Sequence, residues 1–432
     1  MEPSESRRSP TASVGQDEPR DPPIEPGAVT EPNRVDVIVA GDGLGAVAAA
    51  IQAGRRGHDV VVLSPTGYVG GQAGSAAVTS FDDASGPART LLRSSGIYAE
   101  FFNRVTARYA EAGIEVSHCY FSSTNTFCPE PLVVRDVLEE MLSEAGVVIS
   151  TDRVERIERR GIQVEGVVTR HGRHYVGVVI DGTEFGDVIA LAAAEYGVGN
   201  HGSGSCVQDL THAAVMAWYP SVPPELVVPE AALQMVASEV GADVAQTWLE
   251  EFRARVRPGG QADFNGWAEL TYPLDPSLAD WYRGMADSRP LEDPTAPPIT
   301  LTGVNLANDT AVPAAAVRDE GARMEVFRRA MLKTYLYMWY DRWELGRDQW
   351  AVASHLEFSR AERSLWLGAI PDEIERHLPP AFYVREARRL VGPVLEGAAI
   401  VERGTDVFPD SVFIAGDRSD ADHGGCAITD SI

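Results

Sequence analysis

Gly41, Gly43, Gly45 and Ala46 are the residues whose types and spacing point most directly to chemistry. They follow a short β-branched run, Val35 to Ala40, with the composition of a buried parallel strand. Gly41 suits a tight turn. Gly43 lets a pyrophosphate approach the backbone, and Ala46 keeps the next helix close to the strand. Gly45 belongs to the same small-residue turn. The pattern predicts a helix from Leu44 to Arg55, with Gly57 placed as its C-terminal cap. A second buried strand, Asp59 to Leu63, follows. Strand, glycine turn, helix and strand within ~30 residues make a dinucleotide-binding unit. The free N–H groups and dipole of the helix's first turn favour the pyrophosphate's negative charge.

The elements that must position this turn come next. Gly70-Gly71-Gln72, just after the second strand, resembles the glycine doublet of flavoproteins and argues for a flavin over a nicotinamide dinucleotide. Further strings follow in a fixed order: FCPEPLVVRDVLEEMLSEAGV (127–147), VVISTDRVERIE (147–158), VVIDGTEFGDVIALAAAEYGVG (178–199) and FYVREARRLVGP (382–393). On these strings the chain resembles the bacterial FAD-dependent oxidoreductases of the glutathione-reductase superfamily, from about Val35 to about Asp422. The resemblance implies an α/β fold, a Rossmann-like FAD-binding domain with an inserted, mostly helical substrate or cap region. It implies backbone contacts from Val154 to adenine and places Asp181 and Gly182 near the cofactor. It reads VFIAGD (412–417) as a third flavin motif, with Gly416 and Asp417 at the ribityl chain.

Two positions depart from that pattern. The second strand of such units ends on an acid that accepts hydrogen bonds from the adenosine ribose. Here the position is Ser64, a weaker neutral partner. On that reading Ser64→Glu adds a charged acceptor and tightens FAD. After the Gly-Asp motif the resemblance implies a longer helix than the stretch from Gly424 to Ile432 allows, so the chain looks short at this end.

The expected division is a disordered, acidic, Pro-rich tail (1–33), an FAD-binding domain with a small inserted sheet (34–205), a substrate or cap region (206–380), and a return to the FAD-binding domain (381–432). Helices are expected over 98–112 and 131–146. Strands near 147–150, 163–169 and 175–180 would make the small sheet, and 206–380 reads as mostly helical. Tyr335, Trp339 and Trp343 share one face of a helix expected from about Asp319 to Leu345. They either pack a core or wall an apolar pocket over the flavin. Arg385, Arg388 and Arg389 either pair with nearby acids or bind a substrate carboxylate.

The net charge of −26 argues against a nucleic-acid partner and an anionic membrane surface. No run approaches the ~18 apolar residues of a membrane span. Four scattered cysteines, Cys119, Cys128, Cys206 and Cys426, suit a cytoplasmic protein; Cys119 and Cys128 read as buried thiols, with pairing in space as the alternative, and no Cys/His cluster has zinc spacing. The combined reading is an FAD-dependent oxidoreductase that dehydrogenates a small organic substrate by hydride transfer to flavin, with oxygen or another acceptor reoxidising it. A flavin-dependent monooxygenase using external reductant and a degenerate, non-catalytic flavoprotein or scaffold are the alternatives. His201, His212 and His355 are candidates for a base, each equally a structural histidine, so no catalytic residue is assigned.

Overall fold

The computed structural model describes residues 32–78, 81, 90, 92–111, 127–198, 207–255, 261–264, 267–270, 301–304, 307–358 and 370–390. Six strands form its main sheet: β1 (Asn33–Ala40), β2 (Val60–Ser64), β3 (Val148–Thr151), β4 (Val154–Arg160), β5 (Gln163–Thr169) and β6 (His174–Asp181). Their order is β3-β2-β1-β6-β5-β4. β1 runs parallel to β2 and β6, and β2 runs parallel to β3. β4, β5 and β6 form an antiparallel meander. The sequence Val-Val-Val-Leu-Ser of β2 is buried throughout, as a central parallel strand covered on both faces requires.

One face of the sheet is covered by α1 (Leu44–Arg55), α2 (Gly96–Glu111) and α3 (Pro131–Glu144). α1 turns Ala46, Val47, Ala50 and Ile51 inward at helical spacing. The other face packs Ile38, Ala40, Val61 and Leu63 against Ile157, Val167 and Val188. Strands had been expected near 147–150 and 175–180 in a small separate sheet. β3 and β6 instead belong to the main parallel sheet, and only β4 and β5 extend it antiparallel. Short apolar runs do not reveal which neighbours they pair with.

Among the described residues the second half is mostly helical, as expected, with short strands between the helices. β7 (Tyr196–Val198) pairs with β13 (Arg388–Leu390), and β9 (Gln261–Phe264) pairs with β10 (Trp267–Leu270). β8 (Ala214–Trp218) lies between β11 (Leu301–Val304) and β12 (Trp350–Val352) in an antiparallel sheet. Between these strands stand α4 (Asp187–Leu191), α5 (Ala232–Val240), α6 (Ala242–Arg255), α7 (Ala314–Arg318) and α8 (Glu320–Trp343). Asp319 caps α8, its carboxylate accepting from the Ala322 amide at 2.7 Å.

Every residue from Ala330 to Asp341 in α8 is buried. Tyr335 and Trp339 sit in a core with Trp248, Leu249 and Phe252. The indoles of Trp339 and Trp343 donate to the carbonyls of Glu230 and Val228. Tyr335 and Trp339 therefore pack the second core, while Trp343 stays 44% exposed at the end of α8. Buried Lys333 donates to Glu251 and to the Asp309 carbonyl, and Asp341 pairs with Arg347 at 2.6 Å.

Cys128 is fully buried and disulfide-bonded, in place of the expected thiol. The other three cysteines lie outside the described residues. Among the described residues no helix is long and apolar enough to cross a membrane.

The C-terminal end of α1 presses on the turn after α3. A Cβ on Gly54 would stand 2.4 Å from the Ala145 carbonyl oxygen and 3.0 Å from Val147. Gly54→Ala should therefore destabilise the fold by about 1–3 kcal/mol, despite alanine's better helix propensity. Thermal denaturation of the two proteins checks this; a raised midpoint would contradict the packing.

Candidate active site

Three turns converge beyond the C-terminal ends of β1, β2 and β6. Gly41 has φ +103°, and a Cβ there would stand 2.2 Å from the Gly182 carbonyl oxygen. Gly71 has φ +48°, and its Cβ would stand 2.5 Å from the Gly43 Cα. Only glycine allows these backbones to approach so closely. The Gly70 amide donates to the Asp42 carbonyl at 2.9 Å, tying the second turn to the first. Gly182 also meets Ala46, whose Cβ would be 2.4 Å from a Cβ on Gly182. Small residues thus hold α1 against β1 and β6.

The amino end of α1 is left open. Gly43 is its N-cap with φ −62°, no side chain caps it, and no acid lies in its first turn. A Cβ on Gly45 would meet nothing within 4 Å. The first-turn N–H groups of such an end attract an anion.

One carboxylate approaches this opening. Glu184 Oε1 lies 3.0 Å from where a Gly43 Cβ would be and 3.2 Å from a Gly71 Cβ. Glu184 keeps exposed surface because it faces a cavity of about 560 Å³. The surrounding protein still burdens its charge. Burial, with the Asp42 carboxylate adding to it, pushes its pKa up to about 7.

Asp42 lies in the wall of the same cavity and is 6% exposed. Its Oδ2 accepts from Ser64 Oγ at 2.6 Å and from Thr66 Oγ1 at 3.2 Å. Burial raises its pKa against the pull of those bonds and of the Asp42 and Thr66 amides.

The opposite wall is built by the second half of the chain. Burial alone would raise the Asp187 pKa, but Arg323 and Arg388 outweigh it and lower the value. Arg323 grips both carboxylate oxygens at 2.7 and 2.8 Å, and Arg388 donates to one at 2.5 Å. The Arg323 guanidinium also lies 4.1 Å from the Phe185 ring centroid. Phe327 and Phe382 stack at 4.0 Å and line the cavity with Phe185. This cluster brings α4, α8 and the segment before β13 to one place.

The structure distributes the sequence-derived candidates unevenly. Gly41, Val154 and Gly182 line the cavity, with Gly43, Gly45, Gly70 and Gly71 around its glycine turns. Ala46 packs beneath. Gln72 is exposed. Asp181 turns inward, accepting from the amides of Thr183 and Ile189, both at 2.9 Å, and thereby shapes the turn. Ser64 is fully buried, donating to Asp42 and accepting from the Gly67 amide, so its hydroxyl is already committed within the turn. Gly416 and Asp417 lie outside the described residues, as does His201.

His212 and His355 are held by the Pro379 carbonyl and by Glu130. Arg385 pairs with Asp309 at 3.3 Å and Arg388 with Asp187, so both serve internal pairing. Sequence reasoning passed over Asp42, Glu184 and the stacked Phe327 and Phe382. An acid between Gly41 and Gly43, and another two residues after Gly182, were the visible signals for the first two.

The sequence profile described as FAD dependent oxidoreductase matches residues 36–424. The chain belongs to this family. The family is one of FAD-dependent oxidoreductases, with FAD as its cofactor. No curated protein matches the chain. Among solved structures, L-proline dehydrogenase from P. horikoshii is 14% identical with a TM-score of 0.29, the match covering 44% of this chain and 62% of that one. An L-amino acid deaminase from Proteus vulgaris is 14% identical with a TM-score of 0.29, over 46% and 64%. The anhydrotetracycline hydroxylase OxyS from Streptomyces rimosus is 16% identical with a TM-score of 0.27, over 44% and 39%. Each match thus spans less than two thirds of the other protein, and likeness at this level carries no argument about substrate.

The cradle fits the family's dinucleotide on one observation: an uncapped, glycine-rich helix end stands next to a cavity lined by Gly41, Asp42 and Gly182. Gly43 and Gly41 can be told apart by experiment. Gly43 has ordinary φ, and a Cβ there would stand 3.0 Å from Glu184 Oε1 and 3.9 Å from the Gly182 carbonyl oxygen. Gly43→Val should fold with a near-normal thermal midpoint yet retain no FAD. Gly41→Ala should lose roughly 2–4 kcal/mol of stability, through both its backbone conformation and the Gly182 contact. A Gly43→Val protein that keeps full flavin would remove the cradle from this place.

Proposed function

We propose that the amino end of α1, with the glycine turns at Gly41, Gly43, Gly70, Gly71 and Gly182, seats the FAD pyrophosphate. We further propose that the enzyme dehydrogenates a small organic substrate. The uncapped N-terminus of α1 beside three close-packed glycine turns carries this reading. Bound FAD supplies the ring that accepts hydride. The chain's own residues bind, orient and exclude water. Val154, in the cavity wall, is the proposed backbone contact to adenine. Phe185, Phe327 and Phe382 give that wall its apolar part, and the Asp187 pairs hold it in place. The region 206–380 is the proposed determinant of substrate choice, with Gly416 and Asp417 proposed at the ribityl chain. The disulfide at Cys128 fits an oxidising compartment better than the cytoplasm expected from sequence.

The test is anaerobic mixing of the FAD-loaded protein with a panel of amino and hydroxy acids. Bleaching of the flavin band without added nicotinamide supports a dehydrogenase. Bleaching by reduced nicotinamide alone supports the monooxygenase.

Glu184 adds a pH dependence. Its pKa is about 7, and a pyrophosphate beside it raises that value further. Binding then takes up a proton, so affinity falls as pH rises through 7, by up to about tenfold per unit. Asp42 stands nearest in effect, while Arg153, Glu155, Asp187, Arg323 and Arg388 line the same cavity. FAD titrations of apoprotein between pH 6 and 8.5 should show this slope, and Glu184→Gln should flatten it and bind more tightly at the alkaline end. An unchanged slope in Glu184→Gln would place the pyrophosphate away from this carboxylate.

A further inference from the structure

We infer that Asp42 is the acceptor for the adenosine ribose hydroxyls, in place of the acid absent at the end of β2. This rests on the FAD seat proposed above. A dinucleotide unit of this kind carries its ribose acceptor about 20 residues after the glycine turn. Ser64 stands there, and its hydroxyl cannot serve. It is fully buried, donates to Asp42, accepts from the Gly67 amide and does not line the cavity.

The bond from Ser64 Oγ to Asp42 Oδ2, at 2.6 Å, brings a carboxylate to the position the strand-end acid would fill. Its path differs, entering from the glycine turn after β1. Asp42 lines the cavity with Gly41, Thr66 and Val154, so it faces the side on which adenosine would lie. Ser64 and Thr66 are positioning residues: both hydroxyls donate to Oδ2, which fixes the rotamer.

The energetics agree. A carboxylate this buried needs donors, and burial still raises its pKa over the bonds it has. Ribose hydroxyls would supply further donors to the charged form. The exchange of the two residue types is also sterically sensible. Asp42 approaches from the turn after β1 and Ser64 from the end of β2, and the two meet at 2.6 Å.

Three consequences follow for the sign of substitutions. Asp42→Asn keeps the shape and should weaken FAD about tenfold to a hundredfold. Ser64→Glu alone sets two carboxylates together and should weaken FAD, the opposite of what the sequence led us to expect. Asp42→Gly combined with Ser64→Glu returns the acid to the strand and should restore most of the affinity.

The experiment is displacement of FAD from full-length protein by ADP and by 2′-deoxy-ADP, read by flavin fluorescence. Wild type should prefer ADP about tenfold, and Asp42→Asn should bind both alike. Equal affinities in wild type, or an undiminished preference in Asp42→Asn, would overturn the inference while leaving the FAD seat intact. Tighter FAD binding in Ser64→Glu would overturn it as well. Failure of wild-type apoprotein to bind FAD would bring down the seat and this inference together. The wild-type comparison needs no variant, so a misfolded Asp42→Asn protein does not shield the inference from refutation.

Discussion

The site depends on how closely three backbones approach. Gly41 and Gly182 meet where a single Cβ would be 2.2 Å from a carbonyl oxygen, and Gly71 lies over Gly43 with similar closeness. No side chain fits at Gly41 or Gly71. The order β2-β1-β6 brings the ends of those strands side by side. With the turns packed this way, the amino end of α1 lies at their common centre. Hydrophobic burial on both faces of the sheet holds the strands. The glycines decide what stands at their ends.

Charge sets the second constraint. Two carboxylates, Asp42 and Glu184, line a cavity whose proposed occupant is itself anionic. Burial raises the pKa of both. Asp42 is restrained by Ser64 and Thr66, which suits a fixed acceptor. Glu184 Oε1 lies at the mouth of the helix end. The first is the proposed acceptor of hydroxyls and the second the proposed proton-responsive group. Across the cavity, Asp187 is held by two arginines, so its charge is spent on joining the two halves of the chain.

Much of the first half was legible in the sequence. β1, α1 and β2 follow from a β-branched run, a glycine turn, a small-residue helix face and a second run, all within local reach. Helices near 98–112 and 131–146 and strand 163–169 could be read the same way. Pairing partners could not, so β3 and β6 were set in the wrong sheet. The sheet of β8, β11 and β12 was missed because its members are short, apolar and far apart in the chain. For α8 the sequence offered a core face or a pocket wall, and Tyr335 and Trp339 take the core. The helix is buried on every side from Ala330 to Asp341, which removes the periodic contrast that sequence reading uses. Asp42 was visible inside GDGLGA but meant little until its contact with Ser64 was known.

Hydrogen–deuterium exchange with and without saturating FAD tests the central claim most directly. The account predicts added protection at the amides of 41–46, 70–72 and 182–184, with the 153–155 segment following. Protection confined to other segments, with these amides exchanging as before, would contradict it.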